Sequence, residues 1–539
     1  MKKRIISMLL ATLMVLSFAV GCGKQTEPEP VDGETKKLTV GIPQNANVTD
    51  YQENGFTKYV EESLGIEIEF IYFSSTPSES QKQLTVMCAS GERLPDVLWG
   101  FTGMDRYTVN EFGEDGYFID LTELMETKAP HYQEAMSKLD PELQETIQSR
   151  GTSMIDGGFY GMPMVTVMPV IDTMQNIIYI NQQWLDNLGL SMPKTTDELY
   201  EVLKAFKTRD PNGNGQNDEI PMLSSQIERF IINAFVYTGT YGFNVTDGKV
   251  WNPYTTDAYR QALQFCKKLC DEKLLDDMNF SLSSQAEYTA LITPADNVAR
   301  VGIWQGHPQL VTSQNTKILD QYTALAPLAD ATGLGGYLVN GASDMLFSAF
   351  ITEDCKDVDT AMKFLDFFYV DETVTRLRHG VKDEDWIYED GLNDYGEPSK
   401  IKLLNANAAF SGDATWGVQG LGIRTAENYL TSTVDGLSAR NTEAARLLGE
   451  SYQVLKTAPQ PKERLMYLNY TVDEYAQRNK LSTLYSQYIN ECRVLFIVGD
   501  KNIDSDSEWD AYLEEVSALG EETLLKIAQD VYNRDLQKN

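Results

Sequence analysis

The strongest constraint on the fold is a regular exchange of hydrophobic period between Lys37 and Trp99. Leu38, Val40 and Ile42 alternate as one face of a strand, and over 50–64 the side chains Phe56, Tyr59, Val60 and Leu64 recur at helical spacing before Gly65. Ile66, Ile68, Phe70 and Tyr72 alternate again, 78–90 reads as a second helix ended by Gly91, and Asp96 to Trp99 reads as a third short strand. This order predicts a parallel sheet with right-handed crossovers, because a right-twisted strand feeding a helix packs back onto its sheet in that hand. Ligands of such sheets bind beyond the carboxyl ends of the strands, and Trp99 falls at one of those ends. It is the first candidate contact residue.

A second α/β region begins near Val170, where Asn176–Asn181 is strand-like and Gln183–Leu188 helical. Thr195 followed by Glu198 forms a capping-box pattern, after which Leu199, Val202, Leu203 and Phe206 mark the buried face of a helix. At about 150 residues per domain, 539 residues allow three domains or two large ones, each with a sizeable core. No long Ser- or Gly-rich linker separates the two regions, so two lobes joined by short crossings are expected. No internal repeat is evident. From about Asp473 the chain alternates helical patches with polar turns.

With 45 basic and 79 acidic side chains the net charge is −34. Such a field repels phosphate backbones and anionic headgroups, which argues against nucleic acid or a lipid surface as a partner of the folded body. The chain nevertheless opens with a basic start, Lys2, Lys3 and Arg4, and a mostly apolar run from Ile5 to Val20. That run reads as a signal peptide over residues 1–21, too short for a comfortable membrane span. The sequence that follows, Ala19-Val20-Gly21-Cys22, resembles a bacterial lipobox, in which the cysteine is acylated and becomes the mature N-terminus; Cys22 is the expected lipidation site. Residues 22–36 continue as a polar stalk. Cleavage removes three basic residues and no acid, leaving the mature chain more acidic still. Five cysteines remain, Cys88, Cys266, Cys270, Cys355 and Cys492, an odd number that argues against a complete disulfide framework. Cys266 and Cys270 sit at helical spacing and read as small apolar core residues.

The sharpest chemical motif is DPNGNGQNDEIP, Asp210 to Pro221. Asp210, Asn212 and Asn214 place oxygen-bearing side chains at alternate positions, and Gly213 and Gly215 permit a tight turn. Hard oxygen donors at this spacing suit calcium, with the Gln216 carbonyl, Asp218 and Glu219 completing the set. Pro221 stands where a helix-loop-helix calcium site has its bidentate glutamate, so the expected role is a structural clip and not a switch. The alternative is an ordinary Asx/Gly turn. Catalytic motifs are missing: the three histidines, His131, His307 and His379, are widely separated, and neither a nucleophile elbow nor a phosphate-binding loop appears. Trp304 in VGIWQGHP, Trp386 in DEDWIYEDG and Trp416 in DATWGVQG stand beside glycine, acids and turn residues. Flat rings beside hydrogen-bonding groups suit the faces of pyranose sugars, and these three, with His307, join Trp99 as candidate ligand contacts. Trp184 and Trp509 read as helical and structural, and Trp251 follows the Asp247-Gly248 turn of a hairpin.

The lipobox, the stalk and the segments LTVGIP, LPDVLWG, GFYGMP, IYINQQWLDNLGLSMPKTTDELYEVLKAFKTRDPNGNGQNDEIPM and FIVGDKNIDSDSEWDAYLEEVSALGEETLLKIAQDVYNR together resemble a family 1 extracellular solute-binding lipoprotein of a bacterial ABC importer. The loop at Asp210 is similar to that of alginate-oligosaccharide-binding members. The resemblance implies an α/β fold of the periplasmic-binding-protein type II kind, two lobes hinged around a ligand cleft. By this analogy 37–168 with about 305–370 form one lobe, and 169–304 with 371–539 the other. It further implies a carbohydrate ligand, ABC permease subunits as partners, structural calcium and a monomer held by its N-terminal lipid on the extracellular face of the cell membrane. Carried over by motif, Trp99, Trp304 and Trp416 are the binding rings, with Glu228 and Arg229 in SSQIERFIINAF as looser matches. A secreted calcium-stabilised polysaccharide-degrading enzyme and a peptide-binding or sensor lipoprotein stand as alternatives.

Overall fold

The computed structural model describes residues 35–153, 155–167, 177–223, 227–239, 242–282, 284–311, 316–330, 335, 344–393, 396–405, 415–416, 420–425, 431–433, 442–459, 461–463, 465 and 468–536. The expected leader, Cys22 and nearly all of the expected stalk lie outside these residues. Strands β1 (Lys36–Pro43), β2 (Ile66–Phe73) and β3 (Val97–Trp99) and the helices Gly55–Leu64 and Pro77–Ser90 reproduce the expected unit. β1 pairs in parallel with β2 on one side and β3 on the other. The first helix begins at Gly55 and not near 50, because the Asn54 side chain accepts the Phe56 N–H at 2.9 Å and caps it. Gly65 and Gly91 close the two helices in the left-handed conformation, at φ 66° and 68°.

The remaining strands are β4 (Met162–Thr166), β5 (Ile178–Asn181), β6 (Ile220–Leu223), β7 (Asn244–Thr246), β8 (Lys249–Trp251), β9 (Val301–Gln305), β10 (Tyr322–Leu325), β11 (Asp344–Ile351), β12 (Trp386–Leu392), β13 (Pro398–Leu403), β14 (Gly422–Arg424) and β15 (Thr431–Thr433). Among the described residues, one sheet runs in the order β14-β4-β11-β3-β1-β2 and another in the order β10-β5-β9-β6. Each sheet supports its own hydrophobic core. The first core spans Leu38 to Val165 and then Met345 to Ile423; the second spans Ile177 to Leu328 and then Leu447 to Leu524. The chain therefore crosses from one α/β lobe to the other between Val167 and Ile177, between Gly335 and Asp344, and between Arg424 and Thr442.

These crossings move the expected lobe boundaries. Residues 305–311 and 316–328 belong to the second lobe, because β10 pairs antiparallel with β5 and Val311, Ile318, Leu319 and Tyr322 are buried in the second core. The chain returns to the first sheet only at β11, antiparallel between β3 and β4. The first lobe then extends well past residue 370, through Leu377 and Trp416 to β14, which pairs in parallel with β4. Periodicity reports that a segment is a strand and is silent on which sheet receives it.

In the second lobe the Thr195 hydroxyl accepts the Glu198 N–H at 3.2 Å and caps the helix Thr196–Thr208, while Glu198 accepts the Lys194 N–H at 2.7 Å. Hairpin β7–β8 turns at Asp247 and Gly248, both at positive φ, 48° and 73°, as a tight hairpin turn requires. The C-terminal region forms the long helix Val472–Val498 and the helices Asp506–Ala518 and Glu521–Leu536, which pack on the second core. Cys266, Cys270 and Cys492 are buried in that core and Cys88 and Cys355 are half-buried, none of the five in a disulfide. Trp184 and Trp509 are core residues as expected. No helix among the described residues is long and apolar enough to cross a membrane.

The first core is organised around two tryptophans. Trp99 and Trp416 meet edge to face with centroids 5.0 Å apart, and Phe56, Phe70 and Phe368 surround the Trp416 ring at 5.1, 5.4 and 5.7 Å. The Trp416 Nε1–H donates to Thr57 Oγ1 at 2.7 Å, which satisfies its one polar atom. Packing is close enough that a Cβ on Gly420 would come within 2.0 Å of Trp99 Cζ2. Trp416 thus ties a part of the chain far away in sequence to the N-terminal sheet. Trp416→Ala is expected to lower stability by about 3–5 kcal/mol, the cost of emptying a large aromatic site, measured by urea denaturation followed in the near-UV; a loss below about 1 kcal/mol would contradict this role.

Candidate functional site

Strands β6 and β9 run parallel and stop at Leu223 and Gln305. Beyond their carboxyl ends lie the helix Ile227–Phe235 and, across from it, the helix Val472–Val498. Together with Thr238, Gly239, Gly242, Phe243, Tyr254 and Tyr259 they enclose a cavity of ≈ 360 Å³. That is the place where the strand-end rule puts a ligand, and the volume is within the roughly 300–1,000 Å³ of small-molecule sites. On the long helix, Arg478, Ser482, Tyr485, Ser486, Ile489 and Arg493 line the cavity as one stripe at steps of three, four and seven. Ring surface comes from Phe230, Phe243, Tyr254, Tyr259, Tyr470 and Tyr485.

Behind the wall, Glu228 is 2% exposed and its Oε1 lies 3.3 Å from Arg493 Nε, while Oε2 has no hydrogen-bond partner among the described residues. Burial pushes the Glu228 carboxyl above its ordinary pKa, and the nearby Arg493 guanidinium opposes that shift without cancelling it. The other side of Arg493 donates from Nη1 to Asn490 Oδ1 at 2.8 Å. The Tyr259 hydroxyl is buried beside the cavity with no hydrogen bond among the described residues.

The first lobe reaches this region through the start of the helix Arg106–Glu114. Arg106 donates to the Ser149 carbonyl at 2.9 Å in its own lobe and to Asn469 Oδ1 at 2.8 Å in the other. The Tyr107 hydroxyl donates to the Tyr470 carbonyl at 3.0 Å, and its ring stacks on Tyr475 with centroids 3.4 Å apart and planes 11° apart. The Tyr475 hydroxyl in turn donates to Asp105. Tyr470 is therefore both a seam residue and a cavity residue.

The expected aromatic contacts are elsewhere. Trp99 and Trp416, 3% and 2% exposed, are spent in the first core. Trp304 is fully buried against Tyr179 and Tyr322, at 4.3 and 6.0 Å, and Trp386 is fully buried with its Nε1–H donated to the Gly380 carbonyl at 2.9 Å. All four rings have their faces covered by protein, which corrects their reading as sugar platforms. Strand alternation explains the miss at β9: Trp304 faces the core and its neighbour Gln305 faces the cavity. His307 is half-buried just past β9 and outside the cavity lining, with burial lowering its pKa. Of the expected contacts, Arg229 lines the cavity and Glu228 sits behind it. Tyr470, Arg478, Tyr485 and Arg493 were not anticipated, although the helical stripe carrying three of them is visible in the sequence.

The Asp210 loop is built as an oxygen-rich turn. Asp210, at φ 44°, accepts the Asn214 N–H at 3.1 Å and the Gly215 N–H at 3.0 Å, and Asn214 Oδ1 accepts the Gln216 N–H at 2.7 Å. Gly213 and Gly215 take the positive φ that the turn requires, 70° and 74°. Asp218 accepts from Asn214 Nδ2 at 2.9 Å and from Arg300 Nε at 2.7 Å. Both Glu219 carboxylate oxygens are buried without a hydrogen-bond partner among the described residues, and burial with the nearby charges of Asp218 and Asp210 raises its pKa. A carboxylate so placed is short of a cation, and the donor set fits a hard one. Among the described residues no three His, Cys, Asp or Glu side chains are grouped to hold a metal, so the Asn212 and Asn214 amide oxygens would have to take part.

Two α/β lobes with a strand-end cavity beside their seam are the architecture of a solute receptor. Residues 45–375 match the family described as bacterial extracellular solute-binding protein, and the chain belongs to it. It is similar to the fructooligosaccharide ABC transporter substrate-binding protein FusA of Streptococcus pneumoniae, 24% identical over 97% of each chain. Among solved structures, an HMO-binding ABC-transporter-associated solute-binding protein from Bifidobacterium longum infantis matches with a TM-score of 0.74 at 20% identity, over 93% of this chain and 99% of that one. An EF-hand mutant of the S. pneumoniae FusA protein in complex with fructo-nystose matches with a TM-score of 0.71 at 22% identity, over 94% and 100%.

Replacing Glu228 alone strands a buried guanidinium. Glu228→Leu is expected to cost about 3–5 kcal/mol in urea denaturation, and Glu228→Leu with Arg493→Met markedly less than the two single changes summed. Additive losses would show that the two groups are not coupled.

Proposed function

We propose that the protein is the receptor subunit of an ABC importer, tethered by an acyl lipid on Cys22 to the extracellular face of the cell membrane, and that it captures an oligosaccharide between its lobes and passes it to membrane permeases. The observation that carries this reading is the cavity beyond β6 and β9, walled by Arg229, Tyr470, Arg478 and Tyr485 of the second lobe and lying beside the seam where Tyr107 of the first lobe meets Tyr470. Family membership and the saccharide-binding names of the relatives support it. The receptor acts as a monomer and performs no catalysis.

The mechanism follows from the two-lobe build. Opening and closing about the three crossings is a two-state equilibrium, and a ligand shifts it only by binding the closed form better. Tyr470 and Tyr485 offer ring faces to apolar sugar faces, while Gln305, Asn233 and the serines of the long helix offer hydrogen bonds to hydroxyls. Permeases would then read the closed arrangement of both lobes. The direct test is a thermal-shift screen of the mature protein with oligosaccharides of several chemical classes, together with chromatography of each mixture. Stabilisation of several degrees by one class, with the sugar recovered intact, is expected; release of shorter products would support the hydrolase alternative, and no shift with any sugar would overturn the reading.

We also propose that the Asp210 loop is a structural calcium clip, with Asp210, Asn212, Asn214, the Gln216 carbonyl, Asp218 and Glu219 as donors. The Glu219 carboxylate, without a hydrogen-bond partner among the described residues, and the loop's two left-handed glycines support this. A bound calcium would neutralise the Asp210, Asp218 and Glu219 carboxylates and fix the entry to β6. Chelation is expected to lower the melting temperature, and Glu219→Gln to abolish that sensitivity. An unchanged melt with no calcium by elemental analysis would sink the assignment.

A further inference from the structure

The cavity wall is chemically unlike the rest of the molecule. In a chain with 79 acidic and 45 basic side chains, the described lining carries Arg229, Arg478 and Arg493 and no aspartate or glutamate. The one carboxylate nearby, Glu228, is buried behind Arg493. Among the described residues no carboxylate pairs with Arg229 or Arg478, and the Arg478 guanidinium rests only on Asn479 Oδ1, at 3.3 Å, and over the Tyr470 ring.

Hydrogen-bond polarity sharpens the point. A guanidinium carries five donors and no acceptor, whereas sugar hydroxyls need acceptors as well as donors. Two amide acceptors of the wall are already used. Asn233 Oδ1 accepts the Thr238 N–H and hydroxyl, at 3.2 and 3.0 Å, and Asn490 Oδ1 accepts from Arg493 at 2.8 Å. With Arg229 and Arg478 presenting donors that no carboxylate of the described wall matches, the cavity favours a ligand group that only accepts, while Ser482 and Ser486 can still serve hydroxyls. A carboxylate is such a group, and its two coplanar oxygens match the guanidinium fork.

We infer that the cavity selects an anionic saccharide, one whose sugar units carry uronic-acid carboxylates, with Arg229 and Arg478 as its charge-reading residues. This rests on the cavity being the ligand site of the receptor proposed above. The acidic exterior does not forbid it: charges farther than a Debye length of about 8 Å are screened at physiological ionic strength, and the arginines act at contact.

The test is calorimetric titration of the mature protein with oligomers of galacturonate, mannuronate and guluronate, with the methyl ester of each, with sulfated galacto-oligosaccharides, and with neutral fructo- and galacto-oligosaccharides. At least one free acid is expected to bind, its ester at least about tenfold more weakly, since esterification removes the charge that strengthens each hydrogen bond. Affinity for the acid should fall severalfold or more between about 50 and about 500 mM NaCl. Arg229→Gln and Arg478→Gln, both outside the core, should each weaken the acid about tenfold or more with the melting temperature unchanged, because each removes one charge-assisted contact. Esters or neutral sugars binding as well as acids, or sulfated oligosaccharides binding better than carboxylated ones, would overturn the inference and leave the receptor assignment standing. Failure of every saccharide, charged or neutral, would overturn both.

Discussion

Everything in this molecule depends on the antiparallel insertion of β11 between β3 and β4. The first three strands form a parallel ladder from local β-α-β units, but β11 arrives only after the chain has built most of a second lobe. Once that strand pairs, and β14 adds to β4 still later, the two lobes are bound by three passages of chain and cannot separate as independent domains. Several parallel passages limit relative motion to hinge-like opening, which is the motion a capturing receptor needs. The seam at Arg106, Tyr107, Tyr470 and Tyr475 adds a polar and stacked contact across the gap, one that can break and re-form without exposing a core.

Charge is divided by position. Acidic side chains cover the solvated surface, where they keep the protein soluble and repel other polyanions. Arginines gather where the long C-terminal helix faces the end of β9, on a wall that carries no carboxylate among the described residues. Glu228 holds Arg493 from behind and leaves Arg229 and Arg478 to face the cavity. A net charge alone would exclude anionic partners altogether; its distribution excludes extended polyanions from the surface while leaving room for a carboxylate at one point.

Local structure was the legible part. The alternation from Leu38 to Trp99, the Thr195 cap, the Asp247-Gly248 hairpin and the tight turn at Asp210 all arise from interactions within a few residues of one another. The candidate site was legible in fragments: Arg229 was anticipated, and Arg478, Tyr485 and Arg493 share a helical stripe that periodicity could have shown. The tryptophans were misread because polar neighbours in sequence resemble an exposed setting. Trp416 is instead buried by Phe56 and Phe70, hundreds of residues away, and Trp386 by the turn at Gly380.

The sequence by itself determined the two α/β regions, the order of their elements and the oxygen-rich turn, because hydrophobic period, capping and turn chemistry act over short stretches of chain. Only the tertiary structure decided which sheet each strand joins, where the lobes begin and end, and which rings and guanidiniums face the cavity. Those outcomes depend on contacts between segments far apart in sequence, and no local pattern encodes the partner.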